Sequence, residues 1–207
     1  MSEFGERNPG TEKPLLYRTR EDQERDCATY PFEEIPARVF LDTNVVNALV
    51  KFSSTIFEQQ SLPDGLHQTA ARDVQALMHV FRIGSRAHWN LVASHKTLEE
   101  IDRTPVKPLR YILTDYAIQI VETGTPAARH ANELARRITG STFFNVLPDH
   151  ADRELLAHAI GLNCDVFCTS DRSTIVRYRD RLPKLPLRIM TPIEWWHHIR
   201  PWAALWC

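Results

Sequence analysis

Ala37-Arg-Val-Phe-Leu-Asp-Thr-Asn-Val45 is the stretch on which the fold turns. Val39, Phe40 and Leu41 form a short β-branched and aromatic run directly after Pro36, the pattern of a buried strand. The run stops at Asp42-Thr43-Asn44, and Val45, Val46, Ala48 and Leu49 then start a helical spacing. Thr43 or Asn44 could cap that helix through a side-chain oxygen. Asp42 has two readings. It is a helix-capping acid, or it is a functional carboxylate at the carboxyl end of a strand, where open α/β sheets place their ligands.

The same grammar returns near the other end of the chain. Asp165-Val-Phe-Cys-Thr169 reads as a strand that stops at Ser170-Asp171-Arg172, with a helix continuing through Ile175, Val176 and Tyr178. Between the two lie Trp89–Ala93, a strand closed by Ser94 and followed by a helix from Lys96 to Ile101, and Thr142–Leu147, a strand ended by Pro148. Leu187–Met190 makes a fifth strand before a tryptophan-rich end. Helices are predicted over 66–87, 109–122, 126–138 and 149–161, and 52–65 reads as a loop. Strands alternating with helices imply right-handed βαβ crossovers and a parallel sheet covered on both faces, a three-layer α/β fold. Residues 37–207 make one domain, preceded by a proline-containing, acidic arm over 1–36 that reads as extended and solvated. A competing idea makes the arm's acids a lid over a basic rim.

Composition narrows the function classes. The chain has 207 residues with 43% hydrophobic and 25% charged content, ordinary for a folded domain. With only 7 glycines it holds no Gly-rich phosphate loop. No apolar run approaches the ~20 residues of a membrane helix, and the start lacks a signal-peptide pattern, so the protein reads as cytoplasmic. Cys27, Cys164, Cys168 and Cys207 make neither a zinc pattern nor a disulfide framework and read as reduced thiols. Net charge is −1 but uneven: residues 1–36 hold nine acids and five bases, and the remainder holds 17 acids and 20 bases. A polyanionic substrate is compatible with that body.

In a parallel sheet every strand's carboxyl end lies on one edge. Asp42 and Asp171 then face one cleft if their strands are neighbours, and helix starts bring Glu100 and Asp152 towards it. Two carboxylates ~5 Å apart repel by roughly 3 kcal/mol at an effective dielectric of about 20. Oxygen-only ligands favour Mg2+ or Mn2+ as the counter-charge over zinc. Such an ion in an open cleft suits phosphodiester cleavage. Thr43, Asn44, Thr169 and Ser170 are candidates for orienting water, phosphate or the carboxylates. Arg103, Lys107, Arg110, Arg172 and Arg177, with Arg179 and Arg181, are candidates for touching the phosphates of such a substrate. An aspartyl phosphotransferase would want a second Asp at position 44, where Asn44 stands.

Over residues 37 to about 195 the chain resembles the PIN-domain nucleases. The matching pieces are V-F-L-D-T-N at 39–44, S-H-K-T-L-E-E-I at 94–101, D-R-E-L-L-A-H-A at 152–159, D-V-F-C-T-S-D at 165–171 and I-M-T-P at 189–192. The resemblance implies a five-stranded parallel sheet in the order 3-2-1-4-5 and a Mg2+- or Mn2+-dependent endoribonuclease. It implies four metal-holding acids, Asp42, Glu100, Asp152 and Asp171, with Asn44 and Thr169 in support. Glu99 competes with Glu100, and Asp149 with Asp152. Many small members are toxins of toxin–antitoxin pairs, which makes an antitoxin or other protein partner, and a homodimer, expectations alongside RNA. The arm and the long helix before Trp89 depart from a minimal toxin. Trp195, Trp196, Trp202 and Trp206 read either as a partner surface or as the end of the core.

Overall fold

A computed structural model describes Tyr17 and residues 19–87, 89–121 and 126–206. Among these, four strands form one all-parallel sheet in the order β2-β1-β3-β4. They are β1 (Arg38–Leu41), β2 (Asn90–Val92), β3 (Val166–Cys168) and β4 (Arg188–Met190). Val39 pairs with Leu91 on one side and Val166 on the other, and Leu41 with Cys168, so β1 is central and covered by neighbours.

The period of two along β1 divides the core. Val39, Leu41, Val166 and Cys168 face one layer of helices. These are α2 (Thr43–Lys51), α3 (Ser53–Glu58), α4 (Gln68–Ala87), α6 (Lys107–Ile120) and α9 (Pro192–Ile199). Phe40 and Phe167 stack on each other at 5.3 Å on the opposite face, under α7 (Pro126–Thr139) and α8 (His150–Gly161). Both phenylalanines are fully buried, which stabilises by roughly 1.5–3 kcal/mol each. A Cβ on Gly161 would lie 2.7 Å from the Ala131 carbonyl oxygen, so the close α7–α8 approach requires glycine there. α5 (His95–Asp102) follows β2.

Two sequence expectations change. The loop expected over 52–65 contains the short helix α3, ended by Gln59 in the left-handed conformation. The strand expected at Thr142–Leu147 is a 3-10 turn over Thr142–Phe144. The Ser141 hydroxyl oxygen accepts from the Phe143 N–H, and Leu147 N–H donates to the Phe144 carbonyl. Phe144 and Leu147 are therefore buried three residues apart while Phe143 stays exposed. Tertiary burial at that spacing overrides the β-propensity of the run. The five-stranded order is not present among the described residues. Beyond β2 there is a single parallel bridge, Ala93 to Val121 at the end of α6. The segment after Asp171 forms 3-10 turns over Val176–Arg181 rather than an α-helix.

Most of the first 18 residues of the arm lie outside the described set; its remainder holds the helix α1 (Arg20–Thr29). Asp26 accepts from the Tyr17 hydroxyl at 2.6 Å and from the Arg200 guanidinium, and Trp202 Nε1 donates to the Tyr30 carbonyl at 2.8 Å. Phe32 packs on Trp202 and Trp206. Trp195 and Trp196 are buried core residues. α9 starts at the carboxyl edge of β4 and falls ~12 Å over eight residues, so its end, and α1 with it, sit at the amino-terminal edge of the sheet. No helix among the described residues is long and apolar enough to cross a membrane.

Candidate functional site

Asp42 leaves β1 and becomes the cap of α2: its Oδ1 accepts from the Thr43 N–H at 2.7 Å. The capping reading of Asp42 is therefore true, and it does not exhaust the carboxylate. Oδ2 accepts from Thr169 Oγ1 and from Asn44 Nδ2, both at 2.5 Å. Thr169 ends β3, the strand beside β1, so the pairing of two neighbouring strands sets this contact. Asn44 ties the two segments twice more, donating to Thr169 Oγ1 at 3.2 Å and accepting from the Ser170 N–H at 2.8 Å. Thr43 donates to Glu100 Oε2 at 2.5 Å, joining α2 to α5.

Asp171 follows in the same turn. Its N–H donates to Thr169 Oγ1 at 2.9 Å, so one hydroxyl stands between Asp42 and Asp171. Asp171 Oδ1 accepts from Ser173 N–H, Ser173 Oγ and Thr174 N–H at 2.8, 2.7 and 2.8 Å. Its Oδ2 accepts from Thr174 Oγ1 at 2.8 Å. Asp152 lies in the first turn of α8, where its charge also meets the helix N-terminus. Its Oδ2 is buried and has no hydrogen-bond partner, and Ser170 Oγ is likewise buried and unpartnered.

The electrostatics tie the four acids into one group. Asp42 is 3% exposed. Burial pushes its carboxyl up to about 7, Thr169 and Thr43 pull it back, and the charges of Glu100 and Asp152 raise it further. Asp152 rises to about 6 through burial, against the pull of the nearby Thr174 hydroxyl, and with Asp149, Asp171 and Glu100 adding repulsion. Glu100 is raised mainly by burial, against the Thr43 bond and the charges of Lys96 and Arg103. For Asp171 burial also acts upward, yet the bonds from Thr174 and Ser173 outweigh it and hold the group below the usual carboxylate range.

The competing acids separate. Glu99 faces His95 and Lys96 at the surface, whereas Glu100 turns to Thr43. Asp149 caps α8 through the Ala151 N–H at 2.8 Å and acts on Glu100 and Asp152 only through its charge.

The basic candidates divide as well. Arg103, Lys107 and Arg177 are exposed, with Arg177 5.7 Å from the Tyr178 ring centre. Arg110 is held by Asp102, donating to its carbonyl at 2.9 Å. Arg172 does not present its guanidinium to a phosphate. It grips the buried Asp73 of α4 with two bonds of 2.6 and 2.8 Å. Arg179 is likewise engaged by Glu194 at 2.7 and 2.6 Å. Sequence reasoning missed Asp73 and Thr174. Thr174 carries a legible signal, since a hydroxyl three residues after an Asp is a common turn partner.

Among the described residues no three His, Cys, Asp or Glu side chains are grouped so that they could hold a metal ion. The donor chemistry nonetheless fits a hard cation: oxygen only, with one orphaned buried carboxylate oxygen and two acids raised by their neighbours. A groove of about 570 Å³ lined by Glu33, Glu34, Asp165, Leu187 and Arg188 lies at the opposite edge of the sheet. Asp165 is spent there on the N–H groups of Ala37 and Arg38.

No family model, no curated protein and no solved structure matches the chain.

Proposed function

We propose that the chain is a divalent-metal-dependent endoribonuclease of the PIN-domain kind, hydrolysing RNA phosphodiester bonds at the Asp42–Glu100–Asp152–Asp171 edge. The observation that supports this most is the convergence of buried and half-buried acids at one sheet edge, with Asp42 tied to Thr169 and Asn44 and Glu100 tied to Thr43. Two carboxyls pushed to about 7 and about 6 by burial and mutual repulsion want a positive partner at neutral pH. Asp42, Glu100, Asp152 and Asp171 are the residues that would hold Mg2+ or Mn2+. When bound, such an ion acidifies a water and neutralises charge building on the phosphate.

The chain's own groups do the rest. Thr169 and Asn44 keep Asp42 in one rotamer, and Thr43 does the same for Glu100. Ser170 Oγ, buried and unpartnered, has a hydrogen bond still to make. Arg103, Lys107, Arg177 and Arg181 would contact backbone phosphates.

The missing three-acid grouping among the described residues favours a second reading, a catalytically silent module that binds RNA or protein. One experiment separates the two. Labelled RNA is incubated with the protein in Mn2+, in Mg2+ and in EDTA. Under the nuclease reading, cleavage needs the metal and Asp42→Asn lowers it at least ~100-fold. RNA retention without cleavage in any metal supports the silent module, and cleavage undiminished in EDTA overturns the metal reading.

A further inference from the structure

Asp73 is the one acid of α4, set in an apolar layer beside Val74 and Leu77, and it is 4% exposed. Both of its oxygens are taken by Arg172: Oδ2 accepts from Nη1 at 2.6 Å and Oδ1 from Nη2 at 2.8 Å. Taking two charges out of water is costly, and an apolar pair of the same volume often stabilises as well or better. What a forked arginine–carboxylate pair supplies beyond that is a fixed geometry.

That geometry is applied beside the acid group. Arg172 follows Asp171 directly, and its Nη1 turns back to donate to the Ser170 carbonyl at 3.3 Å. The guanidinium therefore bridges the Ser170–Asp171 peptide to α4. The N–H side of the same turn is fixed from the other direction. Ser170 N–H donates to Asn44 Oδ1 at 2.8 Å and Asp171 N–H to Thr169 Oγ1 at 2.9 Å. Asn44 and Thr169 in turn bond Asp42 Oδ2. One turn is thus held between the Asp42 network and α4. The pairing has a second effect. Arg172 is the base next to Asp171 in the chain, yet the acid it pairs with is Asp73, so its charge is not spent on Asp171 or Asp152.

We propose that Asp73 is a positioning residue of the metal-holding edge: by gripping Arg172 it fixes the Ser170–Asp171 turn against α4 and keeps the guanidinium off the four acids. This rests on the metal-dependent reading above. It adds to the site an acid that touches neither the ion nor the substrate.

The test is direct titration of the full-length protein with Mn2+, followed by the electron spin resonance signal of the free ion, at a temperature where melting curves show every variant folded. Asp73→Asn removes the charge that holds the guanidinium and weakens binding about tenfold or more, as loss of a group orienting a ligand does. Arg172→Lys keeps the charge, loses the fork and weakens binding about tenfold. Adding Arg172→Gln to Asp73→Asn removes the released cation, so the double variant binds Mn2+ more tightly than Asp73→Asn alone. A pair that serves stability only lowers the melting temperature of both single variants and leaves the Mn2+ affinity of the folded protein unchanged; that result overturns the proposal. So does a double variant that binds no better than Asp73→Asn. If Asp73→Asn does not fold, Arg172→Lys decides alone, with unchanged affinity overturning the proposal. An unaltered protein that takes up no Mn2+ overturns the functional reading and this inference with it, whereas binding with the wrong variant pattern overturns only the inference.

Discussion

At the residue scale, Asp42 makes the metal-free protein sensitive to alkali rather than to acid. Its folded-state value of about 7 lies above the ordinary carboxylate range, so the folded chain holds a proton that the unfolded chain has released. The stability this contributes is present at low pH and is lost as pH rises through about 7. His79, lowered to about 4 by burial, works in the opposite sense up to the ordinary histidine range, because the folded chain keeps it neutral. Above about pH 6.5 its contribution no longer changes, and Asp42 dominates, with a small remainder from Asp152. The melting temperature of metal-free protein therefore falls between about pH 6.5 and pH 8, by the equivalent of about 1 kcal/mol, the last part of a loss that begins near the ordinary carboxylate range. Mn2+ restores it, and in Asp42→Asn most of the slope disappears; a calorimetric pH series in EDTA checks this. Arg172 makes a second case. Removing it leaves Asp73, 4% exposed, without its partner, so Arg172→Ala costs about 2–3 kcal/mol of stability in denaturant titration. A residue used only to touch RNA would alter binding and leave stability unchanged.

At the scale of elements, the distance between Glu100 and Asp152 is governed by α5 and α8. Lys96, one turn before Glu100, meets Glu154, two residues after Asp152, at 2.5 Å with both side chains mostly shielded. Lys96→Met loosens that pair and removes a charge that draws Glu100 down. The expected result is about tenfold weaker Mn2+ binding with about 1 kcal/mol lost in melting experiments. Elements whose local pattern agrees with their tertiary setting were readable from sequence. Val39-Phe-Leu41 alternates between two cores, and its abrupt end at Asp42 is both a cap and a site, so residue type, spacing and position all agree. Thr142–Leu147 misled because two phenylalanines and a valine suit a strand locally. Only the packing of Phe144 and Leu147 under α7 and α8 selects a turn, and that information lies outside the segment. Arg172 misled in the same manner: a base beside a strand end reads as a phosphate contact until Asp73, 99 residues away, is known to face it. Helical phase says only that one of Glu99 and Glu100 faces inward, since neighbours on a helix point about 100° apart; the preference for Glu100 comes from its spacing from Ser94 in the resemblance.

At the scale of the molecule, α1 and the candidate site occupy opposite edges of one sheet. α1 is fastened to the carboxyl-terminal segment by Asp26, Arg200, Gln23 and the Pro201 carbonyl, so its acids do not cover the basic candidates. Arg200→Ala is expected to expose α1 to limited proteolysis while RNA cleavage proceeds at the unaltered rate. Four exposed candidates, Arg103, Lys107, Arg177 and Arg181, remain for phosphates. On the proposed reading, affinity for single-stranded RNA should then fall with a log–log salt slope of about −3, roughly −0.7 per contact, in filter-binding titrations. A slope near zero removes the basic rim from the account. The carboxylate that opens the site and the hydroxyl that holds it are 127 positions apart in the chain, joined only because β1 pairs with β3. A ribosome making this protein releases Asp42 early and Thr169 late. Until the last fifth of the polypeptide emerges, the growing chain cannot make the Asp42–Thr169 contact, so on the proposed reading it has no centre with which to cut the message that encodes it.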